Sequence, residues 1–183
     1  GTFSGCTNVK SVHIPDIDAW FRLSSLKSSF SIENLYIAGE LLSDYTFPEG
    51  TTAIPDSAFE NCVGINSITL PSSLVSIGKK AFSKCDNLES ITFPASLQSI
   101  GKDAFKGCAN IESVYAPSLE SWLSIGFDTP YSNPVNEETS LYLNGELLEN
   151  LRVPESINQI NQYAFLKYSK LSSQPKKSFL KKH

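Results

Sequence analysis

Histidine is almost absent from this 183-residue chain: His13 and His183 are the only two. Metal centres and most nucleophile–base pairs lean on imidazole, as ligand or as proton acceptor near neutral pH. A histidine beside Pro15 and another at the last position are poorly placed to serve the four cysteines, which also lack any C-x-x-C spacing. No phosphate loop, no G-x-S-x-G and no H-E-x-x-H occurs. Carboxylate pairs such as Glu137–Glu138 fall in loop-like sequence without a pocket signature. The chain is read as a non-enzyme with no cofactor and no bound metal. Long apolar runs are also missing. None approaches the ~18 consecutive residues that argue for a membrane-spanning helix, so none is expected.

Basic charge is scarce in the body and crowded at the end. Residues 1–166 carry nine Lys and Arg against 19 Asp and Glu, a net −10. Lys167, Lys170, Lys176, Lys177, Lys181 and Lys182 give the last stretch +6. An acidic body argues against a nucleic-acid partner, which needs a basic face against phosphate. The basic end reads as a solvated, frayed terminus.

What the chain does have is a repeat. Ala58-Phe59-Glu60-Asn61-Cys62 is followed by Ile65, Ile68 and Pro71. The same types recur 23 residues on, at Ala81, Phe82, Cys85, Leu88, Ile91 and Pro94, and again at Ala104, Phe105, Cys108, Ile111, Val114 and Pro117. The second half repeats too: Leu74, Ile77 and Gly78 return as Leu97, Ile100 and Gly101. Phe3, Cys6, Val9, Val12 and Pro15 fit the register at one end, and Ala164, Phe165, Tyr168 and Leu171 at the other, with Tyr168 in the cysteine place. The pattern fails after Leu171. Because the chain opens inside a repeat, it is expected to be a piece of a longer array.

Pro15, Pro48, Pro71, Pro94, Pro117 and Pro154 mark the coils, and two of the intervals are longer than 23. Those two insertions resemble one another. Trp20 and Trp122 each follow a marker proline by five residues, and Leu35-Tyr36-Ile37-Ala38-Gly39-Glu40-Leu41-Leu42 matches Leu141-Tyr142-Leu143-Asn144-Gly145-Glu146-Leu147-Leu148. Asn-Gly between apolar runs signals a type I′ hairpin, and Ala-Gly is a weaker form of that signal.

One 23-residue unit cannot bury its own apolar positions, whereas stacked units cover one another. Ser90-Ile91-Thr92-Phe93-Pro94 reads as a short strand with Ile91 and Phe93 on one face and Ser90 and Thr92 on the other. Leu97 to Ile100 reads as a second extended piece, ending at Gly101 where a positive φ is expected. Lys102 to Lys106 fits one helical or 3₁₀ turn.

The consensus A-F-x-x-C-x-x-L-x-x-I-x-x-P-x-x-L-x-x-I-G, together with the Leu-Tyr-Leu-Asn-Gly-Glu-Leu-Leu segment, resembles the BspA-like class of leucine-rich repeats. The resemblance covers roughly residues 3–171. It implies an α/β, β-rich leucine-rich-repeat solenoid: a right-handed superhelix with one short parallel strand per 23-residue repeat, on the concave face, and helical or 3₁₀ turns. The domain expected is 1–171, about six coils with lengthened coils at 16–47 and 118–153, followed by a basic, disordered tail at 172–183. The family is found in surface proteins of oral and gut bacteria and of some protists. The resemblance therefore implies a surface or secreted protein that adheres to other proteins, and no catalytic residue is carried over with it.

Two places remain where specific function could reside. One is the outward strand columns: Ser11, Asp44, Ser67, Ser90, Ser113 and Asn150, and beside them His13, Thr46, Thr69, Thr92, Tyr115 and Arg152. His13, Tyr115 and Arg152 are the anchors expected for a protein partner; the plain alternative is that Ser and Thr suit any solvent-facing strand. The other is the aromatic insertions, with Trp20, Trp122 and Tyr131. They either plug the wider coils or present a loop that docks a protein or a sugar ring. The function expected is a non-enzymatic module for protein or host-matrix adhesion. The alternatives are a spacer presenting other domains, and a carbohydrate-binding repeat. The cysteines, in one repeat position, are expected to be buried thiols.

Overall fold

The computed structural model describes residues 9–23, 32–155, 157, 160–172 and 180–181. The chain winds as a β-solenoid of about five turns with parallel strands. Each regular coil contributes one strand to a first sheet and a shorter one to a second. The first sheet contains β4 (Asp44–Thr46), β6 (Ser67–Thr69), β8 (Ser90–Thr92), β10 (Ser113–Ala116), β12 (Ser140–Leu143) and β13 (Glu146–Leu147). The second contains β5 (Ala53–Ile54), β7 (Ser76–Ile77), β9 (Ser99–Ile100) and β11 (Gly126–Phe127). Register follows the repeat: Ser67 pairs with Ser90, Ile68 with Ile91 and Thr69 with Thr92.

The reason is burial of alternate residues. Ile68, Ile91 and Val114 point inward and are buried, while Thr69, Thr92 and Tyr115 point outward. Inside, Phe59, Phe82 and Phe105 stack nearly parallel, with ring centroids 5.3 and 5.5 Å apart. Cys62, Cys85 and Cys108 are buried thiols, as their repeat position suggested. Cys85 and Cys108 donate to the carbonyls of Phe59 and Phe82, at 3.1 and 3.0 Å. Tyr168 takes the same place with a longer reach, its hydroxyl donating to Leu148 O at 2.7 Å. Phe3 and Cys6 lie outside the described residues.

The Ala-Phe segment is a chain of turns rather than a helix. Its amides alternate between partners. Ala104 N and Lys106 N bond back to Gly101 O and Asp103 O, whereas Phe82 N and Lys84 N bond across to Ala104 O and Lys106 O of the next coil. That alternation requires left-handed backbone, and it occurs at Ser57, Lys80 and Asp103 in one column and at Asn61, Lys84, Gly107 and Lys167 in another. Gly101 is not among them. Its role is clearance: a Cβ there would stand 2.7 Å from Lys79 N and 2.9 Å from the carbonyl carbon of Gly78. The expected positive φ at Gly101 is thus corrected, for the left-handed residue comes two positions later.

The insertions are more than widened coils. In the first, β1 (Ser11–Ile14) leads through α1 (Ile17–Arg22) to β2 (Asn34–Ile37), which pairs parallel with β1. The chain then folds back as β3 (Glu40–Leu41), antiparallel to β2, before β4 starts the next coil. The second insertion repeats this plan through α2 (Leu119–Ser124): β12 pairs parallel with β10, and β13 returns antiparallel. Each insertion is thus an extra rung followed by a hairpin. Both hairpin turns have positive φ at their two central residues, Ala38-Gly39 and Asn144-Gly145, as type I′ geometry demands. Asp16 caps α1 by accepting from Ala19 N at 2.6 Å, and Ser118 and Ser121 form a reciprocal capping box on α2.

Beyond Leu171, β15 (Leu180–Lys181) lies parallel to β14 (Ile160–Asn161). A rung therefore occurs at those two residues, inside the stretch read as a tail; 173–179 and 182–183 lie outside the described residues.

Candidate binding face

The outward face of the first sheet carries a ladder whose order differs from the sequence expectation. From β4 to β12 one column runs Asp44, Ser67, Ser90, Ser113, Ser140, and the next Thr46, Thr69, Thr92, Tyr115, Tyr142. The Asp44 column is tied by a hydrogen bond from Ser67 Oγ to Asp44 Oδ1 at 2.6 Å. At its far end Lys170 Nζ donates to Ser140 Oγ, also at 2.6 Å.

Two rows of stacked rings occur, one on this sheet and one on the sheet of β1, β2 and β3. Tyr115 and Tyr142 are stacked, centroids 4.9 Å apart and planes within 15°. His13 and Tyr36 are stacked at 4.2 Å and 2°, one insertion earlier. A leucine completes each row: Leu147 lies directly across from Tyr142 in its hairpin, and Leu41 across from Tyr36. Cross-strand partners share a face, and Leu41 and Leu147 are 45% and 38% exposed. The molecule therefore presents ring–ring–leucine twice, 106 residues apart at Tyr36 and Tyr142. Within the six-stranded sheet the column continues from Tyr115 to Thr92, Thr69 and Thr46, whereas the His13–Tyr36 row stands on the separate sheet of β1, β2 and β3.

The repeat itself is recognisable beyond this chain. The model of the BspA-type leucine-rich repeat region matches residues 31–128 and 130–181, in six copies. The chain belongs to the BspA-type leucine-rich repeat family. A leucine-rich repeat protein of known crystal structure from Bacteroides ovatus is 26% identical to it over 76% of this chain, with a TM-score of 0.42. This chain spans 37% of the length of that protein. No curated protein matches it.

Against this BspA-type framework the expected site residues separate. Thr46, Thr69, Thr92 and Tyr115 stand on the outward face in one register, as their spacing indicated. His13 is outward and exposed but belongs to the sheet of β1, β2 and β3, where its neighbour is Tyr36 rather than Thr46. Arg152 is exposed but lies in no strand, because β12 and β13 occupy the rungs next to Tyr115 and end the sheet. Trp20 and Trp122 are fully buried. The indole of Trp20 donates to Ala58 O at 2.7 Å and that of Trp122 to Ala164 O at 3.1 Å. They fill the lengthened coils, so neither presents a ring to a sugar.

Tyr131 is 49% exposed but stands on the turn edge, its carbonyl accepting from Phe105 N at 2.9 Å. Its neighbours Ser132 and Asn133 are buried and bonded to Gly101 O and to the carbonyls of Tyr163 and Ala164. Sequence reasoning missed Tyr36 and Tyr142 as surface residues. The signal was there: in Leu35-Tyr36-Ile37 and Leu141-Tyr142-Leu143 a period of two puts each tyrosine opposite the buried residues.

Among the described residues no group of three or more His, Cys, Asp or Glu could hold a metal ion, and no helix is long and apolar enough to cross a membrane. A groove of about 530 Å³ opens between α2–β11 and the Ile160–Tyr163 coil. Its wall is mixed, from Phe127 and Ile160 to Asp128 and Asn161, and contains no nucleophile–base pair.

Proposed function

We propose that this chain is a non-enzymatic protein-binding module whose partner docks on the outward face of the six-stranded sheet. The observation that carries the reading is the Tyr115–Tyr142–Leu147 row on that sheet. Interfaces draw their energy from a few aromatic anchors set among polar contacts, and Tyr115–Tyr142–Leu147 stands beside a floor of serine and threonine hydroxyls. A solenoid suits this task, since each added rung lengthens a continuous surface without a new core. Membership of the BspA-type family supports a bacterial protein displayed at the cell surface or secreted, with a surface or matrix protein as its partner.

The test is a binding screen against host matrix proteins with the parent and with Tyr115→Ala/Tyr142→Ala. Retained folding with binding weakened by ten-fold or more, about 1.4 kcal/mol, supports the face. Equal binding by the double variant would move the contact elsewhere. If only the number of coils mattered, the chain would instead be a spacer. Protease shaving of intact cells tests the surface location.

A further inference from the structure

The turn edge, on the Ala-Phe side of each coil, has a charge unlike the rest of the body. Lys79, Lys84, Lys102, Lys106 and Lys167 are all exposed on it, in a region whose net charge is otherwise strongly acidic. Lys79 and Lys102 occupy the same repeat position on adjacent coils, so like charges stand one rung apart, at roughly the 4.8 Å strand spacing. None of the five has a carboxylate partner among the described residues; the only ion pair on this edge joins Lys80 to Glu60 at 3.3 Å. Asp56 and Asp103 lie here too, but Asp56 accepts from Lys79 N at 2.7 Å and Asp103 from the Thr129 hydroxyl at 3.3 Å.

Two further features separate this edge from an ordinary solvated one. Lys84 and Lys167 hold left-handed backbone, φ 60° and 66°, in the column where Gly107 sits without strain. Tyr131 stands half exposed between two amines, Lys106 Nζ at 5.5 Å and Lys167 Nζ at 5.8 Å from its ring centroid. Cations and an aromatic edge are thus gathered at one point of the strip.

We propose that this turn edge binds a linear acidic polysaccharide, with sulfate or carboxylate groups on the lysines and a sugar ring against Tyr131. The layout of the lysines selects the class. They fall in three repeat columns, Lys79 with Lys102, Lys106, and Lys84 with Lys167, and follow one another from coil to coil along the solenoid axis, which fits a single chain with anions at successive steps. A bilayer would bring its whole anionic plane against Asp56, Glu60, Asp86 and Asp128 as well. A nucleic-acid duplex would meet the same acidic surroundings. The site is separate from the sheet face, and neither depends on the other.

The probe is heparin, immobilised, with the full chain applied at low ionic strength and eluted by a salt gradient. The parent is expected to be retained. Lys84→Gln/Lys106→Gln/Lys167→Gln is expected to bind about tenfold more weakly, with a shallower dependence on salt. The matching triple Lys→Arg variant keeps the charge and should be retained, which guards against a loss caused by misfolding. Flow-through of the parent overturns the proposal. So does retention that is lost in Lys176→Gln/Lys177→Gln but kept in the Lys84, Lys106 and Lys167 variant. Binding of single-stranded DNA or of phosphatidylserine vesicles as tightly as heparin would also overturn it, in favour of indiscriminate attraction.

Discussion

Tyr115 and Tyr142 lie face to face, 4.9 Å between ring centres, although 26 residues separate them in the chain. The stack exists because β12 takes the rung next to β10 that the repeat alone would have given to the following coil. Such a pair contributes about 0.5–1.5 kcal/mol beyond its buried area. A double-mutant cycle on Tyr115→Ala and Tyr142→Ala should give a coupling in that range by urea unfolding. Additive single effects would mean that the rings touch without supporting one another.

Phe82 is the middle ring of the Phe59–Phe82–Phe105 stack and is wholly buried. Phe82→Ala should lower stability by about 3–5 kcal/mol. A thermal melt indistinguishable from the parent would remove Phe82 from the core.

Gly101→Ala introduces one methyl group against the backbone of Lys79 and Gly78. Adjacent coils cannot separate there without breaking Gly101 N to Ile77 O, 2.8 Å. The expected loss is about 1–3 kcal/mol. Asn61→Gly, at φ 64°, should be neutral or slightly stabilising. If both variants melt alike, the distinction between clearance and conformation fails.

Trp122→Phe keeps an aromatic body but leaves Ala164 O without its indole donor, a carbonyl otherwise reached by Asn133 Nδ2 at 3.1 Å. The change should cost about 1–3 kcal/mol in a denaturant titration and leave partner binding by the folded protein unaltered. Lost binding at full stability would instead put Trp122 on a binding surface.

Burial, and then the neighbouring Cys108 side chain, push the Cys85 thiol well above its ordinary range. Burial also raises Tyr45 and Tyr168. An unfolded cysteine loses its proton near pH 8.5, while native Cys85 still holds it. Above that pH the unfolded chain binds fewer protons than the native one, so stability is complete below about pH 8.5 and falls as pH rises. The tyrosines extend the fall above about pH 10. A urea midpoint that rose between pH 8 and 10 would contradict this.

The 23-residue register was legible across the regular coils from Ala58 to Pro117, because a solenoid coil touches only its neighbours and each position repeats one local rule, whereas the rung at Leu180–Lys181 was read as tail. Ala58, Phe82, Cys108 and Ile91 each declare their place by type and spacing, and the outward threonines follow from a period of two. What the spacing could not decide was where the extra residues of an insertion go. A longer interval between prolines is equally compatible with a swollen coil and with a new rung. That choice rests on which strand edge accepts β2 and β12, a contact between segments 23 and 27 residues apart at Ser11–Asn34 and Ser113–Ser140. From it follow the burial of Trp20 and Trp122 between coils, the exclusion of Arg152 from the sheet, and the stacking of Tyr36 on His13 and of Tyr142 on Tyr115. The sequence by itself determined the solenoid and its inner and outer residues. Only the tertiary structure decided which outer residues stand together, because adjacency across an insertion depends on strand pairing that no local pattern encodes.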